Sequence, residues 1–376
     1  MILKLESGVN MKKILIYAPN APTSGVTNAL YSLHKGLDKQ KFRISVISWP
    51  EKIKMQKLAK EFNGSFYPFK LFYYKHPIAF RKELKNIFKN NEIDTVIFNL
   101  SYMTSLVPIS LAKKYNIKNI IVHSHSSRLE ANNAIKRIVL TVIHYINRFR
   151  AKKYTFTRLA CSQKAGIWLF SKGTNFTVIK NAIDLARFRF DKGKREKIRQ
   201  QFNLSDEFVL GNIGRLTFPK NQKFLIGLFE EVLKKVPNAY LWIIGDGPLM
   251  GTLKEEAKHL KLTERIVFWG NQNNIEDFLN AMDLFIMPSI FEGLPVAAIE
   301  AQTNGIPCIL SDSIDSSVII NDNLVQKSLS DSYEEWVSAV IKQLQTGRYD
   351  DVLNSPMNHG WDIKDAVKQL EQFYLR

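Results

Sequence analysis

The sequence predicts an α/β chain of two doubly wound domains, each a parallel sheet with helices on both faces. Three observations carry this. Short apolar runs alternate with helical patterns twice along the chain, over residues 11–185 and again over 208–355. A length of 376 residues suits two domains better than one. Hydrophobic residues make up 45%, ordinary for a chain that buries real cores.

In the first half the strand candidates are 13–18, 43–48, 95–99, 119–123, 158–161 and 177–179, with helical stretches such as 28–37 and 104–115 between them. The crossing falls near Asn181 and Asp184, ahead of a charged stretch over 191–199. The second half repeats the pattern with strands 208–213, 239–244, 265–269, 284–287 and 307–310, and with a helix over 224–235. In the tail, Ile363, Val367, Leu370 and Phe373 fall on one helical face. The expected division is 1–185, 186–356 and a final helix within 357–376 that packs back on the first domain. Residues 1–10 do not form a secretory signal and are read as an extension before a more natural opening at Met11. With no apolar run of membrane-spanning length, no transmembrane helix is expected.

Charge is divided unevenly. The chain carries +18, but residues 1–185 hold 31 Lys+Arg against 9 Asp+Glu, and the remainder is slightly acidic. A basic half suits an anionic partner, whether membrane lipid, a lipid-phosphate substrate or nucleic acid; a solvated lysine-rich surface is the plainer alternative. Two stretches concentrate the effect, 66–89 with its interleaved aromatics and 135–154 with cations around an apolar centre. The two cysteines, Cys161 and Cys308, are too few and too far apart for a disulfide framework or zinc site, which favours a reducing cytoplasm.

Open α/β sheets bind ligands at the carboxyl ends of their strands, so the residues there are the candidates. After the first strand, a turn-rich loop around Gly25 reads equally as a close backbone approach to a ligand and as a tight structural turn. His123 and His125, at the end of another strand, are expected on opposite faces, which would bar joint ligation of one metal. One of them can hydrogen-bond a sugar, or serve structure alone. Gly214, Arg215 and Lys220 follow the first strand of the second half, where two cations can neutralise a diphosphate. The stretch from Ser289 to Glu300 places Glu292 in a Gly-Pro loop and Glu300 about one and a half turns into the next helix. Free N–H groups at such a helix start attract phosphate, and a carboxylate on each side can grip sugar hydroxyls. No Asp-x-Asp pair occurs, so a metal-held diphosphate is disfavoured, and no P-loop is present.

Together these segments resemble the retaining glycosyltransferases of family 4. The likeness rests on Gly214-Arg215-Leu216 to Lys220-Asn221, Gly245-Asp246-Gly247-Pro248, Phe291-Glu292-Gly293-Leu294-Pro295 through Glu300, Val122-His123-Ser124-His125, and Ala160-Cys161-Ser162 leading to Asn181-Ala182-Ile183-Asp184. It covers nearly the whole chain from Met11. It implies the GT-B fold, two Rossmann-like domains facing across a cleft, and catalysis without a metal or other cofactor. By position it implies that Arg215 and Lys220 stabilise the donor diphosphate and its developing charge. Backbone near Gly293 and Leu294 would support the phosphates, Glu292 would contact the donor sugar and Glu300 the ribose. His125 would lie at the sugar's reacting face, and Gly25 would let phosphate and acceptor meet. Ser24 stands where the family often has a first glycine.

The expected activity is transfer of a hexosyl or N-acetylhexosaminyl group from a nucleotide-sugar, with a UDP-sugar as the expected donor, to a glycan or polyprenyl-diphosphate-linked acceptor in capsular or exopolysaccharide synthesis. The expected place is the inner face of the plasma membrane, with the basic half against anionic lipid and no nucleic-acid partner. A nucleotide-sugar epimerase of similar shape and a basic nucleic-acid- or membrane-binding protein are the alternatives.

Overall fold

Two parallel sheets organise the computed structural model, which describes residues 11–19, 25–69, 76–127, 129, 133–292, 295–349 and 360–376. The chain divides into two compact units, one formed by Met1–Ala182 with Gly360–Arg376 and the other by Ile183–His359.

In the first unit the strands are β1 (Lys12–Ala18), β2 (Phe42–Ser48), β3 (Asn63–Pro68), β4 (Thr95–Leu100), β5 (Asn119–Ser124), β6 (Thr157–Ala160) and β7 (Thr177–Val178). They lie in the order β3-β2-β1-β4-β5-β6-β7, all parallel. Helices cover both faces, so the central strands are apolar without alternation: Ile14 to Ala18 are all buried, as are Val96 to Phe98. One face packs Ile14, Ile16, Ile44 and Val46 under the helices Gly25–Lys35 and Ile53–Glu61. The other packs Leu15, Val96 and Phe98 against Phe80, Leu84 and Phe88 of the helix Pro77–Asn90. Each such side chain contributes on the order of 1.5–3 kcal/mol by leaving water.

The helix Ile363–Leu375 completes this unit. Ala366, Val367, Leu370, Phe373 and Tyr374 are buried in the same core as β1 and β2. The Tyr374 hydroxyl lies 2.6 Å from Nε2 of buried His34, and Phe42 meets the Tyr374 ring edge-on.

The second unit holds β8 (Phe208–Ile213), β9 (Ala239–Ile244), β10 (Ile266–Gly270), β11 (Leu284–Met287), β12 (Cys308–Ser311) and β13 (Leu324–Lys327). Their order is β10-β9-β8-β11-β12-β13. Counted from the first strand of each sheet, both units therefore share the 3-2-1-4-5-6 arrangement of doubly wound nucleotide-binding folds, which the first sheet extends by β7. The core gathers Leu210, Leu241, Ile243, Leu284 and Ile286 with Ile226 and Phe229 of the helix Gln222–Leu233 and with Trp336.

Two strands have no counterpart in the sequence reading, β3 and β13. Both are sheet edges, half-polar and only partly buried, and so lack a continuous apolar run. In the aromatic stretch 66–89, open to a surface or a core reading, Phe69 and Phe80 are buried and Phe66 packs on the core. Its residues 70–75 lie outside the described residues.

Candidate active site

The strand order reverses between β8 and β11, and a crevice opens at such a point beyond the carboxyl ends of the strands. Two loops meet there. The first leaves β8 at Gly214, whose N–H donates to the Ile244 carbonyl at 2.9 Å, while Leu216 donates to the Asp246 carbonyl at 3.0 Å. The neighbouring loop lies backbone against backbone: a Cβ on Gly245 would sit 2.0 Å from the Gly214 oxygen, and one on Gly247 2.3 Å from the Leu216 oxygen. Glycine is the residue that permits this approach. A short turn, Phe218–Lys220, then ends at Asn221 in the left-handed conformation, and the helix Gln222–Leu233 begins. Buried Gln222 bridges back, donating to the Asn212 side chain at 3.4 Å and the Arg215 carbonyl at 3.3 Å. Asn212 in turn donates to the Ile286 carbonyl at 2.7 Å, tying β8 to β11.

The second loop leaves β11 through Ser289 and Ile290, whose N–H donates to the Pro219 carbonyl at 2.8 Å. This lock brings Lys220 Nζ to 2.6 Å from Glu292 Oε1, and the Ser289 hydroxyl donates to the same oxygen at 2.6 Å. Ser289 is itself fixed, its carbonyl accepting from the Ser311 and Ser313 hydroxyls. The Glu292 side chain is 8% exposed and that of Lys220 23%. A charge pair this enclosed is costly to break, since either partner alone would be a buried, unpaired charge. Arg215 is exposed and forms no ion pair among the described residues.

Glu300 is the fifth residue of the helix Val296–Thr303 and stands in another group. Desolvation lifts its pKa to about 7, against the pull of Arg187 and with a push from Glu276. Arg187 is already paired with Glu276 at 2.7 Å. A carboxyl poised near neutrality can either donate or accept a hydrogen bond. Gly293 and Leu294 lie outside the described residues.

In the first unit the corresponding reversal lies between β1 and β4. Asn99 on β4 is fully buried and donates to the Tyr17 carbonyl of β1 at 3.3 Å. That fixes its amide, so its oxygen accepts from His125 Nε2 at 2.9 Å. The imidazole is thereby held as the Nε2–H tautomer, and its Nδ1 is a buried acceptor with no partner among the described residues. Burial, with the field of His34, lowers the His125 pKa to about 3.

One expectation fails here. The rings of His123 and His125 are not on opposite faces; their centroids are 4.1 Å apart. A strand alternates with period two, so residues i and i+2 share a face. Even so, no cluster of three or more His, Cys, Asp or Glu placed to hold a metal occurs among the described residues. Gly25 opens the helix Gly25–Lys35 after β1, and residues 20–24 of its loop lie outside the described residues. Cys161 and Cys308 are buried free thiols. A cavity lined by Lys13, Arg43, Ser45, Tyr67 and Asn91 lies at the amino ends of β1 and β2, away from the strand ends that bind ligands, and receives no role.

The sequence reading placed both Lys220 and Glu292 at the site but not their direct pairing. It gave no role to Ser289, Asn99, Asn212 or Gln222, the side chains that hold the others in place. Asn99 had one signal, a polar side chain inside an apolar strand.

Residues 194–354 match the family model described as glycosyl transferases group 1. EpsF of Bacillus subtilis, a protein assigned as a glycosyltransferase, is 25% identical over 348 residues, covering 90% of this chain and 89% of its own. The Escherichia coli UDP-Gal:α-D-GlcNAc-diphosphoundecaprenol α-1,3-galactosyltransferase is 26% identical, over 75% of this chain and 80% of its own. Among solved structures, HepE of Anabaena in complex with UDP and glucose superposes with a TM-score of 0.77 at 18% identity, covering 96% of this chain and 98% of its own. At that identity the likeness shows the fold, which is GT-B. The matched domain, these relatives and the two like-ordered sheets agree: the chain has the GT-B fold, and over residues 194–354 it is similar to the group 1 glycosyltransferases.

Proposed function

We propose that the chain is a retaining, metal-independent hexosyl or N-acetylhexosaminyl transferase, using a UDP-sugar and a glycan or lipid-diphosphate-linked acceptor in capsular or exopolysaccharide synthesis. The observation that carries this reading is the Lys220–Glu292 pair at the β8/β11 reversal, braced by Ser289. On this reading Lys220 and Arg215 face the donor diphosphate and Glu292 turns a carboxylate oxygen to the sugar hydroxyls. Glu300 takes the ribose. The sugar–phosphate bond breaks as the acceptor oxygen bonds to the same carbon from the same face, and the acceptor proton passes to the leaving phosphate. Cations already in place stabilise that phosphate without reorganisation. His125, neutral and with Nδ1 free to accept, meets a donor hydroxyl. The absence of Asp-x-Asp supports the metal-independent form. The relatives named above support a nucleotide-sugar and a lipid-linked acceptor, and the basic first half supports work at the inner membrane face.

Sugar transfer with a panel of nucleotide-sugars, with and without chelator, tests the reading, alongside thermal shifts with UDP, GDP and ADP. A stabilising shift with one nucleotide and chelator-insensitive transfer with retained anomeric configuration are expected. Full activity in both Lys220→Ala and Glu292→Ala would sink the site assignment.

A further inference from the structure

The helix Ala134–Ala151 is built inside out. Most helices of this unit turn their apolar side chains to the core, as Pro77–Asn90 does with Phe80, Leu84, Ile87 and Phe88. Ala134–Ala151 fully buries only His144 and Ala151. Its large apolar side chains face solvent instead: Ile135 and Phe149 are 73% exposed, Ile138 63% and Val142 53%, with Val139, Tyr145 and Ile146 near half. At 100° per residue these seven fall within one arc of about 120°. His144 and Ala151 lie on the opposite side. The helix is anchored from there: His144 Nδ1 accepts from the Met103 N–H at 3.1 Å and its ring stacks on Trp168 at 4.3 Å, while Arg148 donates to the Trp168 carbonyl at 3.1 Å. The outward stripe is therefore a fixed feature and not a frayed end.

Cations border the stripe on both sides. Lys136 and Arg150 lie along one edge, and Arg137, Arg148 and Lys152 along the other. The Arg148 guanidinium lies 4.7 Å from the Tyr145 ring centre, and the Lys152 ammonium 5.6 Å from that of Phe149. No Asp or Glu occurs from residue 131 to residue 183. An exposed apolar stripe of this extent marks a contact surface.

We infer that this stripe docks into the interfacial layer of an anionic lipid bilayer, the helix lying in the membrane plane. The charge pattern selects this occupant. A second copy would pair by an isologous contact, setting the cations of one helix against those of the other, on a stretch that carries no Asp or Glu of its own. Nucleic acid needs aromatic platforms for its bases, and this stripe is mostly Ile and Val. A bilayer with anionic headgroups satisfies both parts, acyl chains taking the stripe and phosphates the flanking cations. No helix among the described residues is long and apolar enough to cross a membrane, so the mode is contact with one leaflet. The inference deepens the proposed activity by naming the element that brings the enzyme to a lipid-linked acceptor.

Flotation of the full chain with phosphatidylcholine vesicles, with and without phosphatidylglycerol, tests it. Recovery with the anionic vesicles is expected, falling by about tenfold on neutral vesicles or in high salt. Val142→Asp with Ile146→Asp, both at solvent-facing positions, is expected to lower recovery by about tenfold with the thermal unfolding midpoint unchanged. A second variant, Arg137→Ala with Arg150→Ala, should weaken binding and flatten its salt dependence. Absence of wild-type binding to anionic vesicles, or equal flotation of wild type and the double-aspartate variant, would overturn the inference. So would a wild-type dimer that the aspartate variant dissociates, which would give the stripe to a second copy. Flotation uses no nucleotide-sugar, so its failure leaves the transfer reading standing. Failure of transfer to any acceptor, with flotation intact, would remove that reading alone.

Discussion

The two strand-order reversals have one topology and opposite chemistry. At β8/β11 the side chains are ionic: Lys220 pairs with Glu292, and Arg215 stands exposed beside them. At β1/β4 they are neutral and buried: Asn99 bridges Tyr17 to His125, and imidazole is kept uncharged by burial. Placing backbone ends around a crevice is what the fold supplies; the charge at each crevice is decided by a few residues just past the strands. An ionic site suits a charged ligand group that must be held while its charge grows. A dry, neutral one suits hydroxyl recognition.

Breaking the ionic side should have the largest effect. Lys220→Ala is expected to lower transfer by about 10²- to 10³-fold, the range for losing one preorganised stabilising group. Steady-state rates check it, and an undiminished rate would mean that the pair serves structure only. Glu292→Gln keeps the shape, and retention of most activity would limit the carboxylate to hydrogen bonding.

On the neutral side, Asn99→Leu removes the acceptor of the His125 N–H and the donor to Tyr17. Unfolding in urea should show a loss of about 1–3 kcal/mol for the buried groups left unpaired. An unchanged midpoint would show that the Asn99–His125 contact is not formed in solution.

Acid should separate the two units. His34, His125 and His144 are held by burial at about 4, 3 and 4, below their ordinary 6.5. The unfolded chain takes up these protons first, so the stability they confer is present above about pH 6.5 and drains away as pH falls toward 4 and 3. Glu300 has the opposite sign. Its folded pKa is raised to about 7 from 4.5, so its contribution is full below pH 4.5 and is lost as pH rises through 7. Hydrogen exchange compared at neutral and mildly acidic pH should therefore show the first unit opening more than the second. Equal loosening would contradict the contrast.

The smallest effect expected is at Gly214. A Cβ there would meet Lys220 Cε at 3.4 Å, the edge of ordinary contact, so Gly214→Ala asks the lysine to move by at most a few tenths of an ångström. Transfer should fall several-fold, about 1 kcal/mol of transition-state stabilisation, with stability kept. A loss as large as that of Lys220→Ala would show that the lysine's position is as critical as its charge.

How much of this was legible in the sequence follows from how each feature is encoded. The buried central strands announce themselves as continuous apolar runs, and Gly or Pro marks the loops beyond them, so Lys220 and Glu292 were visible as candidates. Their pairing was not, because 72 positions separate them and the strand order that joins them is a tertiary fact. Ser289 and Asn99 look like ordinary strand-end residues until their hydrogen bonds are seen. Edge strands β3 and β13 carry half-polar patterns that resemble loops. In 134–151 the apolar period was readable, but period alone does not say whether a stripe faces in or out.

The helix Ile363–Leu375 imposes an order on synthesis. It fills the core beside β1 and β2, yet it leaves the ribosome only after all of Ile183–His359. Domains generally fold in the order they are made, but here the first to emerge must wait with the surface for Leu370 and Tyr374 uncovered. The second unit can mature meanwhile, and a nascent chain cut before residue 363 would present an exposed apolar groove to chaperones.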